Sequence, residues 1–218
     1  IGSGLVGSEM CIRDRVTISH YETPLNLAKE YDGWHSRKLI DFYLNFCKVL
    51  FARYKGRVKY WLTFNEINSI LHSPLMSGGI MTPMDKLTQQ DLYQAIHHEL
   101  VASAKAVKLA HEMMPGAMVG CMILAMPTYP LTPNPDDVLA ALKTEQKNYF
   151  FGDVQARGYY PKYLNDYLDE QGVHIQMKPG DEEALKNTVD FISFSYYVSA
   201  CETTKPYTPG EGNLLGGA

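Results

Sequence analysis

From residue 16 onward the chain alternates between two hydrophobic rhythms. In "KYWLTFNEIN", Val58, Tyr60, Leu62 and Phe64 alternate with Lys59, Trp61, Thr63 and Asn65. This is the period of two expected of a strand over 58–65, and Glu66 falls at its carboxyl end. Upstream, "VTISHY" (16–21) reads as a short β-branched strand. A loop containing Pro24 and Gly33 separates it from a helical stripe of Leu39, Tyr43, Phe46, Leu50 and Tyr54, widened by Ile40, Cys47 and Phe51. A long loop with Pro74, Gly78, Gly79 and Pro83 follows the 58–65 strand. Thr88 and Asp91 then offer a cap with an acidic first turn, and Leu92, Ile96, Leu100, Ser103, Val107, Ala110 and Met114 predict a helix that Pro115-Gly116 stops.

The remaining segments repeat the alternation. "AMVGCMILAM" (117–126) is apolar on both alternations, as a parallel strand buried on both faces should be. Asn134-Pro135 starts a helix predicted to run to about Phe150, Pro161 and Asp181 open two shorter ones, and "VDFISFSYY" (189–197) predicts a fourth strand. After Cys201 the periodicity ends. Strands alternating with helices argue for βα units and a parallel sheet, and four such units make half of an eight-stranded α/β barrel. A half barrel leaves two strand edges and one sheet face open, which favours self-association.

Composition narrows the function classes. The 218 residues are 45% hydrophobic and 20% charged, enough for one substantial core, and the formal net charge of −4 gives no basic surface for a phosphate backbone. Nucleic acid is therefore not an expected partner, and small molecules are. The four cysteines, Cys11, Cys47, Cys121 and Cys201, form no C-x-x-C pair, which fits a reducing cytoplasm. No apolar run approaches the roughly 20 residues of a membrane span. His97-His98-Glu99 begins like H-E-x-x-H, but Ala102 stands where the second zinc ligand would, so a solvated helix face is expected there. The methionines at 113–114 and 122–126 read as core packing, and "PNPDD" (133–137) as a helix start.

Several short motifs, in order, carry a resemblance. "TFNE" (63–66) is similar to the acid/base motif of glycoside hydrolase family 1, the retaining β-glycosidases on a (β/α)8 TIM barrel. "SHYETP" (19–24) resembles that family's third-strand motif, with Tyr21 in place of Trp and Glu22 in place of Asp; "RGYYP" (157–161) and "FSYY" (194–197) match later blocks. The fold implied is α/β, a partial TIM barrel comprising strands 3 to 6 over residues 16–201. Residues 1–15 fit nothing in the family and read as a foreign leader, and 202–218 as an irregular tail.

The resemblance also assigns roles. Glu66 would be the catalytic acid/base. Among substrate-binding residues, Asn65 would donate to the sugar 2-hydroxyl, His20 would bind sugar hydroxyls, Tyr197 would hydrogen-bond the nucleophile and Ser195 would add a hydroxyl near the site. Blander readings stand beside these: Asn65 as a turn residue, His20 as a satisfied strand-end histidine, Ser195 as a core serine. Glu22 is a weaker second-carboxylate candidate, structural in the family. Ile67-Asn68 after the Glu, Ser195 in place of Asn, and "SHYETP" look like the 6-phospho-β-glucosidases, acting on phosphorylated β-glucosides by double displacement with no metal or organic cofactor. The family's nucleophile motif, Thr-Glu-Asn-Gly, is absent from this sequence, so the chain by itself is expected to be inactive. A plain β-glucosidase and a non-catalytic sugar-binding or self-associating half barrel are the alternatives.

Overall fold

The computed structural model describes residues 14–205. Its frame is a four-stranded sheet, β1 (Arg15–Ser19), β2 (Tyr60–Phe64), β3 (Met118–Ala125) and a later strand, β5 (Phe191–Tyr196), in the order β1-β2-β3-β5. All three ladders are parallel, with Ser19 opposite Phe64, Tyr60 opposite Met118 and Ala125 opposite Tyr196. Every carboxyl end therefore lies on one side. The long connections place helices along one face, as in the segment of a (β/α)8 barrel, strands 3 to 6, that the sequence resemblance implies. A three-residue parallel pair, β4 (Thr128–Pro130) and β6 (Ala200–Glu202), sits apart from it.

Two helices hold the middle of the sheet. The buried stripe of α2 (Lys38–Tyr54) is Leu39, Ile40, Tyr43, Cys47 and Phe51. It is rotated from the predicted stripe, leaving Phe46 and Tyr54 exposed. Trp61 of β2 meets Phe51 edge-on at 5.3 Å between ring centroids. The other helix, α4 (Gln89–Met113), starts as predicted: Thr88 and Asp91 form a reciprocal capping box, each backbone N–H donating to the other's side chain at 3.1 Å. Thr63 Oγ1 lies 2.8 Å from Ser103 Oγ of α4, which donates to Gln155 Oε1 at 2.9 Å. This buried hydroxyl chain pins β2, α4 and the next helix, α5 (Pro135–Arg157), together.

Several expectations need correction. The helix predicted to stop near Phe150 runs to Arg157 and ends on Gly158 in the left-handed conformation. The first strand ends at Ser19 rather than Tyr21, and the loop after it contains α1 (Leu25–Tyr31) and a 3-10 turn at Gly33–His35. The loop after β2 likewise holds a 3-10 turn at Ile67–Leu71 and α3 (Pro74–Gly78). His97, His98 and Glu99 are not a solvated face: they are 0%, 5% and 2% exposed. The α4 surface that carries them packs against the Gly33–His35 turn and against α7 (Asp181–Leu185), and both neighbours offer polar partners. The remaining helix is α6 (Lys162–Glu170).

The opposite face of the sheet is open. Arg15, Tyr60, Met118 and Phe191, the first residues of the four strands, line a cavity of about 420 Å³ at the amino end. Gly120 lies under the Phe191 ring, where a Cβ would overlap it. On the outer side of β5, Ile192, Phe194 and Tyr196 are 55%, 68% and 58% exposed. Both edges of the sheet, β1 and β5, carry no further strand among the described residues. The leader expected over 1–15 and the tail expected over 202–218 lie almost wholly outside the described residues.

Candidate active site

The carboxyl ends of the strands collect the candidate residues. His20 follows β1, Asn65 and Glu66 follow β2, and Ser195 and Tyr197 stand at the end of β5. The β1–β2 ladder continues one step past the strands, because Asn65 N–H donates to Ser19 O at 2.9 Å. The chain then turns left-handed at Glu66, with φ 41° and ψ 54°. This turn drops the Glu66 side chain back over the strand ends, where it is 7% exposed beside an 8% exposed Asn65.

Glu66 has two distinct oxygens. Oε2 accepts a hydrogen bond from the Tyr21 hydroxyl at 2.5 Å. Oε1 is buried with no hydrogen-bond partner among the described residues. A buried carboxylate oxygen without a partner costs about 1–3 kcal/mol or more, so the site is built for something that reaches that atom. Ser69 Oγ lies 3.1 Å from the Tyr21 hydroxyl and 2.6 Å from the Glu66 carbonyl oxygen, and Ser77 Oγ lies 3.1 Å behind it.

The backbone after Glu66 is braced from β3. Asn68, fully buried, donates from Nδ2 to Leu124 O at 2.9 Å and accepts from Leu124 N at 2.8 Å on Oδ1. The β2–β3 ladder stops at Leu62 opposite Gly120, so this side-chain amide satisfies a length of β3 that no β2 residue reaches. Nothing in the spacing of the sequence pointed to that role.

The other candidates lie further from Glu66. His20 is exposed, and its ring meets Tyr21 edge-on at 5.2 Å. Glu22 does not face Glu66 as a second carboxylate: it accepts the His20 backbone N–H on both oxygens, at 2.8 and 2.7 Å. Ser195 is half-buried and Tyr197 is 59% exposed. Ser195 lies in β5 and Tyr197 just after it, two strands away from β2, which at the usual strand spacing is about 10 Å. The structure thus gathers Tyr21, Asn65, Glu66 and Ser69 tightly, with His20 at their side and Ser195 and Tyr197 across an open gap. Tyr21 and Ser69 are the residues that sequence reasoning missed. Tyr21 was visible only as a Trp replacement, and Ser69, three residues after Glu66, had no signal.

The chain is similar to known proteins in sequence and in fold. A family profile described as Glycosyl hydrolase family 1 matches residues 7–213. Over 208 residues the chain is 55% identical to a 6-phospho-beta-glucosidase of Clostridium longisporum, covering 94% of this chain and 44% of that protein. It is 52% identical over 205 residues to an aryl-phospho-beta-D-glucosidase of Bacillus subtilis, covering 93% and 44%. Among solved structures, a beta-glucosidase from Exiguobacterium marinum superimposes with a TM-score of 0.74 at 26% identity, covering 93% of this chain and 48% of that one. A family 1 b-glucosidase from Thermotoga maritima gives 0.72 at 26% identity, covering 85% and 41%. The chain spans less than half the length of these relatives.

Proposed function

Because this chain belongs to glycosyl hydrolase family 1, we propose that it carries the acid/base half of a retaining β-glycosidase acting on 6-phospho-β-glucosides. Glu66 is the acid/base. In the first displacement it gives its proton to the departing glycosidic oxygen while a second carboxylate, about 5–5.5 Å away, attacks the anomeric carbon. In the second it takes a proton from the water that attacks the same carbon, which releases the sugar and the nucleophile. The observation that carries this reading is the buried, unpartnered Oε1 of Glu66 at the carboxyl end of a parallel strand.

The remaining roles are those that the family resemblance implies. Asn65 donates to the sugar 2-hydroxyl, His20 binds neighbouring hydroxyls, Tyr197 orients the nucleophile and Ser195 lines the site. Residues 16–201 form the catalytic-barrel segment. The phosphorylated substrate rests on the names of the relatives and on the Asn68 and Ser195 departures noted above. A cytoplasmic location fits both a phosphorylated sugar and the free thiols of Cys47, Cys121 and Cys201. Among the described residues no helix is long and apolar enough to cross a membrane.

The test compares hydrolysis of 4-nitrophenyl β-glucoside and its 6-phosphate by the product of the completed gene, because this chain by itself lacks the nucleophile motif. The phosphorylated substrate is expected to be cleaved far faster, and Glu66→Gln to lower turnover of a phosphorylated disaccharide by about 10²–10⁴. Preference for the unphosphorylated glucoside would return the reading to a plain β-glucosidase.

A second reading is favoured by the exposed stripe of Ile192, Phe194 and Tyr196 on the edge strand β5. We infer that two copies associate through this edge. Sedimentation velocity should show a dimer that Phe194→Glu converts to monomer, and a concentration-independent monomer in the parent chain would remove the idea.

A further inference from the structure

Tyr21 and Glu66 are joined by a hydrogen bond, and both hold their backbones in the left-handed region, at φ 71° and 41°. Residues with a Cβ avoid that region by about 1–2 kcal/mol each, and an aromatic residue there is uncommon. Among the described residues only Asp32 joins them as a non-glycine residue at positive φ. Asp32 has a local use for its turn, since it caps the end of α1 with its backbone N–H donating to Leu27 O, and its carboxylate accepts the backbone N–H groups of Met81 and Thr82 at 2.6 and 2.9 Å. Tyr21 caps no helix, and Glu66 opens the 3-10 turn at Ile67–Leu71, its carbonyl accepting the Ser69 N–H at 2.7 Å.

What their strain achieves is convergence. Strands β1 and β2 run in register to their last pair, Ser19 opposite Phe64. Just past that point each chain makes a left-handed turn, at the second residue after each paired position, and the two turns point the side chains at one another. Strained residues clustered at a site are held there by surrounding contacts. Here those contacts are visible: Ser69 Oγ touches both the Tyr21 hydroxyl and the Glu66 carbonyl oxygen, and Ser77 Oγ backs Ser69 while donating to Ser73 O at 2.9 Å.

We propose that Tyr21 is a positioning residue for Glu66, its hydroxyl fixing Oε2 so that Oε1 is the oxygen that carries the proton to and from the reacting groups. This rests on the reading of Glu66 as the acid/base. A carboxyl group has two equivalent oxygens until a donor distinguishes them. With the phenolic O–H donating to Oε2, the acid's own proton belongs on Oε1, the atom without another partner. The phenol also remains a donor throughout any working pH: burial, then the hydrogen bond to Glu66, push its pKa up to about 12. No other acid competes for it, because Glu22 is occupied by the His20 backbone and the His20 ring meets Tyr21 by its edge.

Two measurements test this, one of them independent of turnover. In the chain labelled with 13Cζ-tyrosine, the Tyr21 resonance, assigned by its loss in Tyr21→Phe, should move at neutral pH in Glu66→Gln and in Ser69→Ala while the other tyrosine resonances stay in place. A Tyr21 resonance unmoved by Glu66→Gln would overturn the proposal whether or not the chain has activity. In the active gene product, Tyr21→Phe should lower kcat/KM on the order of tenfold for a phosphorylated disaccharide, whose leaving oxygen needs the proton. It should change the value less than about twofold for a 2,4-dinitrophenyl leaving group, which departs unprotonated. Equal losses on both substrates would reduce Tyr21 to a structural residue. Absence of phosphoglucoside hydrolysis by the product of the completed gene would fail the functional assignment and leave the resonance test to decide on Tyr21.

Discussion

His97 Nε2 lies 3.0 Å from Asp181 Oδ2, and both side chains are almost fully buried although 84 residues separate them. Arg37 donates to both oxygens of the same carboxylate, at 2.8 and 2.5 Å, the Lys178 N–H adds a fourth donor at 2.7 Å, and Tyr160 OH meets His97 Nδ1 at 2.9 Å. One carboxylate thus ties α4 and α7 to the turn that starts α2. Burial opposes its charge, but Arg37, the Lys178 N–H and His97 together hold it well below the usual carboxylate range. Asp181→Ala strands a guanidinium and a buried imidazole, so a loss of about 3–5 kcal/mol is expected at pH 7, read from urea unfolding. The pH dependence has a definite sign. A depressed folded pKa gives stability that is complete above the unfolded value near 4 and disappears as pH falls through the folded value. The parent and Asp181→Ala should therefore converge in stability below about pH 4, and a constant gap down to pH 2 would contradict the role of the carboxylate.

His98 sets a second, milder acid limit. Its Nδ1 lies 3.0 Å from Trp34 O, and its Nε2 lies 3.2 Å from the amide nitrogen of Gln94. The Gln94 orientation is fixed, because its Oε1 accepts the Gln176 N–H at 2.8 Å. The imidazole must then be neutral, donating through Nδ1 and accepting at Nε2. Protonation would set N–H against N–H. Burial, helped by the neighbouring His97 and Arg37, brings the pKa down to about 4 despite the Trp34 carbonyl. The unfolded state, with its value near 6.5, binds the proton first, so stability is full above about pH 6.5 and falls between there and pH 4. Urea midpoints across pH 7 to 4 should decline in the parent and decline less in His98→Gln, which keeps a donor for Trp34 O.

The parts of this fold legible in the sequence are those in which a local pattern decides the outcome. Period two exposed β2 and placed Glu66 at its carboxyl end; Thr88 and Asp91 announced the start of α4; the apolar run of 117–126 announced a strand, although only Val119, Cys121 and Ile123 on its helix side are buried with Gly120, and Met118, Met122 and Leu124 on the open face are half-buried. The three-residue strands β4 and β6 are too short to show any period. The His97-His98-Glu99 face was misread because its polarity is answered by Asp181, Tyr160 and Trp34, far off in the chain, and no periodicity records a distant partner. Glu99, buried with no ionic partner among the described residues, has its carboxyl pushed well above the usual range by burial. In the site itself, Asn65 and Glu66 carried a recognisable motif. The left-handed turn at Tyr21 has no local signature, since its reason is the side chain on the neighbouring strand.

Asn68 offers the sharpest test of how the acid/base is held. Its amide stands in for a strand: Nδ2 and Oδ1 bind the Leu124 carbonyl and N–H on the side of β3 that β2 no longer reaches, while Leu124 itself lies opposite Ser195 in the β3–β5 ladder. Replacing it with Leu keeps the volume but leaves one donor and one acceptor of β3 unsatisfied in a dry region. Each costs about 1–3 kcal/mol, so Asn68→Leu should destabilise the chain by about 2–4 kcal/mol. Asn68→Asp should do comparable harm through a different contact, because it retains the acceptor for the Leu124 N–H but turns a carboxylate oxygen toward the Leu124 carbonyl. Amide exchange separates the two variants. The Leu124 N–H should lose protection in Asn68→Leu and keep it in Asn68→Asp, with the Cys121 and Val119 amides unchanged in both. If Leu124 exchanges equally in parent and Leu variant, the amide is not what closes this part of β3, and the segment behind Glu66 owes its position to the packing of Ile67 and Ile70 alone.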